Sequence, residues 1–172
     1  MSRPEHPRVA AISSLLAESG ATGRVLELTG SARTAAEAAG ELGVPLGAIA
    51  NSLLFDVDSE PLLVLTSGAH RVDVAKVAAL LGVRDVRPAS ADFVRRHTGQ
   101  PIGGVAPIGH PEPIGTLVDV ELARHDRVWA AAGHPRAVFP TTYEELLRLT
   151  GGTAAEVGNG PPALPETVEV RS

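Results

Sequence analysis

The sequence predicts a single domain of the α+β class, in which mixed α/β structure places helices against a sheet of short strands. Its 172 residues are enough for one hydrophobic core, whereas two domains sharing that length would be unusually small. Segments with apolar residues at helical spacing, most of them ending at a glycine, alternate along the chain with short runs typical of strands. No internal repeat is present.

Five segments are predicted to be helices from their apolar periodicity, their caps and the glycines that follow them. Thr34 and Glu37 have the spacing of a capping box, and Ser90 is placed to cap another helix. Two overlapping capping boxes, beginning at Thr141 and Thr142, precede the last helix. The predicted helices cover residues 8–19, 35–42, 74–81, 90–97 and 141–150.

The strands are predicted from alternating or continuous apolar runs. Residues 51–57 and 61–66 are separated by Asp58-Ser59-Glu60, which indicates a β-hairpin at the centre of the sheet. The other predicted strands are 24–28, 116–119, 128–131 and 137–139.

Composition divides the chain into three parts. Residues 1–7 are expected to be a flexible N-terminus, and residues 8–151 form the predicted domain. From Gly152 onward, and above all in Gly158–Pro165, glycine and proline occur without periodicity, so residues 152–172 are expected to be a flexible tail.

Several classes of function are excluded by composition. The chain has no cysteine, which excludes disulfides, a thiol nucleophile and thiolate metal ligands. Its net charge is −5 and its longest basic run is Arg95-Arg96-His97, so it lacks the footprint of a protein that binds an extended nucleic acid. A few arginines would still suffice to hold the terminal nucleotides of an RNA. No apolar run is long enough for a signal sequence or a membrane helix, so a cytoplasmic protein without a membrane partner is expected.

The segment Ile102–Pro111 contains three glycines and two prolines between apolar residues, which excludes a helix. Glycine lets main-chain N–H groups approach a ligand closely, and proline stiffens the backbone. The segment is therefore predicted to be a rigid loop that lines a pocket, with a simple turn between strands as the alternative.

Four segments in the same order resemble the YbaK/EbsC/ProX family of aminoacyl-tRNA deacylases, which includes a domain associated with prolyl-tRNA synthetase. They are Ile49–Phe55, Leu65–Asp73, Gly103–Pro107 and Ala131–Pro135, and the resemblance covers about residues 8–151. It implies a mixed, partly barrel-like sheet flanked by helices. It also implies trans-editing, in which a mischarged tRNA carrying a small amino acid, above all proline tRNA, loses that amino acid by ester hydrolysis. The implied partners are the acceptor end of that tRNA and an aminoacyl-tRNA synthetase.

Hydrolysis of an activated ester needs a positioned water and donors for the developing oxyanion, and it does not require a cofactor. No Gly-x-Ser-x-Gly elbow, nucleotide-binding glycine motif or His-x-x-x-His pair is present, so neither a serine triad nor a metal is expected. The residues expected to act in catalysis are Gly103, Gly104, Asn51 and Asp119. Those expected to bind substrate are Thr66, Ser67, Gly68, His70, Val105, Pro107, Gly133 and His134.

Two positions depart from the family pattern. Asn51 stands where many relatives have a lysine, and Ala131 stands where some have a serine. The Asn51 amide can hold a ribose hydroxyl or a carbonyl but carries no charge. Its alternative role is to cap a strand end. The sole lysine, Lys76, lies in a predicted helix and is not expected to replace the missing one.

The remaining polar candidates each have two interpretations. Asp119 either orients a neighbour or binds the substrate ammonium, and otherwise it is a strand-end turn residue. His70 and Arg71 could meet phosphate, while Asp73 is expected to cap a helix. His134 is either a donor or proton shuttle at the site or a surface residue.

Two other functions remain open from the sequence. A non-catalytic module that binds aminoacyl-tRNA or a small ligand is favoured by Asn51 and Ala131, and disfavoured by the retained glycine segments. The second is hydrolysis of a different small acyl ester.

Overall fold

The structure is a computed structural model that describes residues 6–30, 34–100 and 103–158. Its five helices are α1 (Pro7–Glu18), α2 (Ala35–Leu42), α3 (Val74–Leu81), α4 (Ala91–Thr98) and α5 (Tyr143–Thr150). The eight strands are β1 (Leu26–Glu27), β2 (Ile49–Val57), β3 (Glu60–Ser67), β4 (Arg87–Pro88), β5 (Gly115–Asp119), β6 (Val128–His134), β7 (Ala137–Thr141) and β8 (Thr153–Ala155). The mixed α/β class predicted from the sequence is confirmed.

The helix caps follow the sequence signals closely. The Thr34 hydroxyl accepts the Glu37 N–H at 3.1 Å, and the Glu37 carboxylate accepts the Thr34 N–H at 3.2 Å, which completes the capping box. Asp73 and Ser90 cap α3 and α4. The start of α5 differs from the prediction, since Thr142 is its cap and Thr141 belongs to β7. The Thr141 hydroxyl donates instead to Glu145 at 2.6 Å.

The strands form one mixed sheet in the order β1-β7-β6-β2-β3-β5-β8, with β4 beside β2. The pairs β2–β6, β3–β5 and β5–β8 are parallel, and the other pairs are antiparallel. The predicted hairpin of β2 and β3 lies at the centre, and its tip places Asp58 and Ser59 at positive φ. Within the described residues no pairing joins β1 to β8, so the barrel-like curvature implied by the resemblance does not close into a ring.

The flexible tail is predicted to begin at residue 152, but the structure has a strand just after that position. Thr153–Ala155 pairs in parallel with β5, and Val157 is fully buried against α3. Because this strand has only three residues, it shows no periodicity that a sequence pattern could reveal. Residues 159–172 of the predicted tail lie outside the described residues.

The N-terminal boundary also changes. His6 caps α1 through its Nδ1, which accepts the Arg8 N–H at 3.1 Å, and Pro7 is the first helical residue. Proline suits that position because its missing N–H would have no partner there. Residues 1–5 of the expected flexible N-terminus lie outside the described residues.

The helices cover different parts of the sheet. The largest cluster of buried apolar side chains joins α1, α4 and α5 to the central strands. A second cluster packs Val77 of α3 against β3, β5 and Val157, and a third packs α2 against Ile49 and Val138. None of the helices in the described ranges is long and apolar enough to cross a membrane.

Candidate active site

A cavity of about 580 Å³ opens where two strands diverge along one edge of β2. Strand β6 pairs with Ile49 and Ala50, whereas β4 pairs with Phe55 and Asp56 at the other end of the same edge. Among the strands that the structure describes, none pairs with the middle of β2 on that side, in the gap between β6 and β4. The cavity has the size of a small-molecule site. Its walls include residues 49–55 of β2, Thr66, His70–Val72, Gly103–Val105, Trp129–Ala131, Pro135 and Val138.

Ser52 is a residue of this gap that the sequence reasoning missed. The Leu54 carbonyl accepts the Ala89 N–H at 3.1 Å on the open edge. Since main-chain groups alternate between edges, the N–H and C=O of Ser52 face the same gap. The Ser52 hydroxyl oxygen is buried and has no hydrogen-bond partner among the described residues. A serine in an apolar strand carries no sequence signal that separates this position from an ordinary one.

The glycine loop contributes Gly103, Gly104 and Val105 to the cavity wall. Gly103 and Gly104 have φ values of +84° and +89°, which L side chains rarely adopt. A Cβ on Gly104 would also lie 2.6 Å from the main chain of His134 and Pro135, whereas a Cβ on Gly103 would meet nothing within 4 Å. The Gly104 carbonyl accepts the Gly133 N–H at 2.9 Å. Gly104 is therefore required for close contact between the loop and the β6–β7 hairpin.

The loop is anchored at Ala106 by two side chains. The Gln100 side-chain oxygen accepts the Ala106 N–H at 2.7 Å, and His110 Nε2 donates to the Ala106 carbonyl at 2.9 Å. Burial lowers the pKa of His110, partly offset by that hydrogen bond. Gln100 is only 4% exposed. Its role was not predicted, because a single glutamine next to a loop is not distinguished from an ordinary turn residue by the sequence.

Asp119 and His70 form a buried pair beside the cavity. Strands β3 and β5 are parallel and paired at Leu65 and Val118, so their carboxyl ends lie at the same edge of the sheet. Asp119 Oδ2 accepts hydrogen bonds from His70 Nε2 at 2.5 Å, the Ser67 N–H at 2.9 Å and the Thr66 hydroxyl at 3.2 Å. Its Oδ1 accepts the Glu121 N–H at 3.0 Å. With both oxygens engaged and 1% exposure, the geometry favours an orienting role for Asp119 over contact with a substrate ammonium.

The contact between His70 and Asp119 shifts the pKa of each group in the direction that favours its charged form. The hydrogen bond to Asp119 raises the pKa of His70 above 6.5 against the opposing effect of burial. Burial raises the pKa of Asp119, but the hydrogen bonds from His70, Ser67 and Glu121 outweigh it, so that the pKa is lowered. The pKa of His70 is thus shifted up and that of Asp119 down, in the directions expected for an imidazole hydrogen-bonded to a carboxylate.

The segment after β8 closes over the imidazole of His70. The Asp73 N–H donates to the Val157 carbonyl at 2.7 Å, and Lys76 Nζ donates to the Gly158 carbonyl at 2.6 Å. A Cβ on Gly158 would collide with the His70 ring. His70 Nδ1 is buried and has no hydrogen-bond partner among the described residues.

The predicted site residues separate into two groups. Asn51, Thr66, His70, Gly103, Gly104 and Val105 line the cavity, while Ser67, Gly68, Pro107, Asp119, Gly133 and His134 do not. Ser67 is fully buried and its hydroxyl donates to the Gly47 carbonyl at 2.8 Å. Gly68 passes so close to Leu46 that a Cβ would lie 2.6 Å from its carbonyl oxygen. Ser67 and Gly68 thus pack against residues 46 and 47 and do not line the cavity.

His134 lies at the β6–β7 hairpin beside the cavity. Its Nδ1 accepts the Arg136 N–H at 3.1 Å, and its ring lies 5.4 Å from that of His6. Arg8 Nε donates to the Gly133 carbonyl at 3.1 Å. Burial lowers the pKa of His134, and so do the positive charges of His6, Arg8 and Arg136. In the described part of the chain no group of three or more His, Asp or Glu side chains is placed to hold a metal.

The chain is similar to several known proteins. The family model for the aminoacyl-tRNA editing domain matches residues 29–149. The chain is 29% identical over 153 residues to the proline–tRNA ligase of Nitratidesulfovibrio vulgaris, covering 83% of this chain and 26% of the ligase. It thus spans about a quarter of the length of that relative. The uncharacterized protein YwhH of Bacillus subtilis is 32% identical over 127 residues, covering 73% of this chain and 80% of YwhH.

Solved structures show the same relationship. The crystal structure of a candidate trans-editing enzyme for prolyl tRNA synthetase superposes with a TM-score of 0.86 at 39% identity, covering 91% of this chain and 100% of that one. The hypothetical protein APE2540 superposes with a TM-score of 0.79 at 31% identity, covering 87% of this chain and 99% of that one. The described fold, the glycine loop beside the cavity and these matches together show that the chain belongs to the aminoacyl-tRNA editing domain family.

Proposed function

We propose that this protein is a trans-editing deacylase, which hydrolyses the ester of a mischarged tRNA bearing a small amino acid, with proline tRNA as the preferred tRNA. The observation that carries the proposal is the cavity of about 580 Å³ between the open edge of β2 and the positive-φ glycine loop. Family membership and the similarity to proline–tRNA ligases support the choice of substrate.

The glycine loop supplies donors for the reacting carbonyl. Neither the Gly103 N–H nor the Gly104 N–H donates to an acceptor in the described part of the chain. Amide donors fixed by the backbone can stabilise the oxyanion that forms when water attacks an ester, and they need no reorganisation during the step. Val105 and Pro107, both buried, keep this part of the loop in place.

The opposite wall holds the polar ends of the substrate. Asn51 lines the cavity from β2 and offers an amide to a ribose hydroxyl or carbonyl. Thr66 and His70 line it from the end of β3 and the segment that follows, and Asp119 orients both side chains from behind. His70 Nε2 is bonded to Asp119 and its Nδ1 is buried beside Gly158, so the imidazole supports this wall and does not exchange a proton with the substrate.

The test is deacylation of tRNAs charged with alanine, serine, cysteine, threonine or proline. We expect selective hydrolysis of one mischarged species, and a loss of about tenfold in kcat/KM for Asn51→Ala, since removing one partner of a buried hydrogen bond costs about 1–3 kcal/mol. Asp126→Asn, at an exposed position, is the matched control and should leave the rate unchanged. Equal hydrolysis of every ester, or of none, would contradict the proposal.

A second function is favoured by one observation. Asn51 places a neutral amide at a position where many relatives have a lysine, which fits a non-catalytic module that binds aminoacyl-tRNA. Binding of the charged tRNA without hydrolysis, measured in the same panel, would identify that module.

A further inference from the structure

Four basic residues lie beside the cavity at the junction of α1 and the β6–β7 hairpin, where the charges of His6, Arg8 and Arg136 all act on His134. His6 and Arg8 come from the start of α1, and His134 and Arg136 come from the hairpin; we call them the basic cluster. The two imidazole rings lie 5.4 Å apart, and Arg8 reaches across to the Gly133 carbonyl at 3.1 Å. All four residues are partly exposed.

The main chain fixes the orientation of both imidazoles. His6 Nδ1 accepts the Arg8 N–H, and His134 Nδ1 accepts the Arg136 N–H, each at 3.1 Å. With Nδ1 used as an acceptor, the proton of each neutral ring is on Nε2. The remaining ring nitrogens are therefore donors, as are the two guanidinium groups. A cluster that offers only donors is suited to an anion.

The positive charge of the cluster is only weakly opposed. Within the described ranges no salt bridge reaches Arg8 or Arg136. Glu27 is the carboxylate that acts on His134 against the surrounding cations. Arg136 also acts on Glu41, but that carboxylate is engaged by the N–H groups of Thr29 and Gly30.

The cluster adjoins the cavity directly. Pro135, between His134 and Arg136, is part of the cavity wall, and Gly104 packs against the main chain of His134 and Pro135. An anion bound by these side chains would lie beside the glycine loop. We infer that the basic cluster is a phosphate subsite, which holds a phosphodiester of the tRNA acceptor end next to the cavity. This inference rests on the proposed function for the identity of the nucleic acid.

The first test compares a substrate that has phosphates with one that has none. Arg136→Gln removes a guanidinium while keeping the main-chain N–H that orients His134. We expect its kcat/KM to fall by about tenfold on aminoacyl-tRNA, the loss for one hydrogen bond to a charged group, and to stay unchanged on the aminoacyl-adenosine ester. Arg95→Gln, on α4 and paired with Asp92, is the matched control. An equal loss on both substrates, or no loss on tRNA, would overturn the subsite.

A binding test separates this inference from the proposed function. The ring C–H signals of His6 and His134 are followed by NMR while 5′-phosphorylated CCA trinucleotide, inorganic phosphate or adenosine is added. We expect both signals to shift and saturate with the trinucleotide, and not with adenosine. Saturation with inorganic phosphate alone would overturn the assignment to tRNA, and no response to either phosphate would overturn the subsite. This result stands even if the protein hydrolyses no ester, the outcome that would refute the proposed function.

Discussion

Two histidines beside the cavity have opposite surroundings. His70 is partly buried against a carboxylate, and its pKa is raised by the hydrogen bond to Asp119. His134 is partly exposed among cations, and its pKa is lowered by burial and by His6, Arg8 and Arg136. The pKa values of the two histidines are therefore shifted in opposite directions. At His70 the hydrogen bond to Asp119 outweighs the effect of burial on the pKa, whereas at His134 burial has the largest effect and the neighbouring positive charges act in the same direction.

The largest expected effect comes from removing the carboxylate that pairs with His70. Asp119→Asn replaces a buried carboxylate, which accepts four hydrogen bonds, with an amide that has only one acceptor atom. We expect the free energy of unfolding to fall by about 3–5 kcal/mol, as for other buried ion pairs that lose one partner. We also expect the pKa of His70 to fall. Urea unfolding at neutral pH and NMR titration measure the two effects.

The same pair gives the pH dependence of stability a definite sign. The stabilisation due to the raised pKa of His70 is complete below pH 6.5 and is lost as the pH rises through that raised pKa. The stabilisation due to the lowered pKa of Asp119 is present above pH 3.8 and is lost as the pH falls through that lowered pKa. Asp119→Asn should weaken the dependence of the free energy of unfolding on pH in both of these pH ranges. An unchanged pH profile, or a change equal to that of Asp126→Asn, would show that the pair does not control stability.

An intermediate effect is expected at the segment that covers His70. Gly158→Ala places a methyl group against the imidazole, so either the ring or the segment must move. We expect a loss of about 1–3 kcal/mol in the free energy of unfolding, typical of overpacking, together with a shifted His70 signal. Gly115→Ala is the matched control because a Cβ there meets nothing within 4 Å. If both variants are equally stable, Gly158 does not hold the ring.

The smallest expected effect is a change in the pKa of His134 that leaves the fold undisturbed and tests the comparison between the two histidines. Arg136→Gln removes one of the positive charges that lower the pKa of His134. Its pKa should rise toward 6.5, whereas the pKa of His70 should not change. NMR titration of both rings in one sample provides the measurement. High salt should act in the same direction on His134 in the wild type, because exposed charges are screened more strongly than buried ones. A parallel shift of both histidines would contradict the separation of their environments.

Local signals in the sequence predicted most of the secondary structure. The capping box at Thr34 and the caps at Asp73 and Ser90 depend on residues within one helical turn, so their spacing was sufficient. Strands β4 and β8, of two and three residues, were missed, whereas β1, also two residues long, was predicted because it lies in the alternating run 24–28. The start of α5 was placed early because two overlapping capping boxes satisfy the same pattern, and pairing of Thr141 in β7 selects the second.

The candidate site was only partly predictable, because some of its contacts join residues that no local pattern links. The glycine loop and Asn51 were found from composition and from the family resemblance, and both line the cavity. Ser52 and the Gly158 contact were missed because they depend on the divergence of two strands and on a residue distant in the chain. Gln100 was missed because its bond to Ala106, six positions along the chain, follows no motif.

By itself, the sequence determined the class of fold, most of its helices, the central hairpin and the position of the glycine loop, since these follow from interactions between near neighbours. The tertiary structure alone decided that Asp119 meets His70 across 49 positions, and that His6 and Arg8 meet His134. The parallel pairing of β3 with β5 sets the first contact, and the packing of α1 on the β6–β7 hairpin sets the second. Such contacts depend on how separate elements pack, which no local pattern of residues encodes.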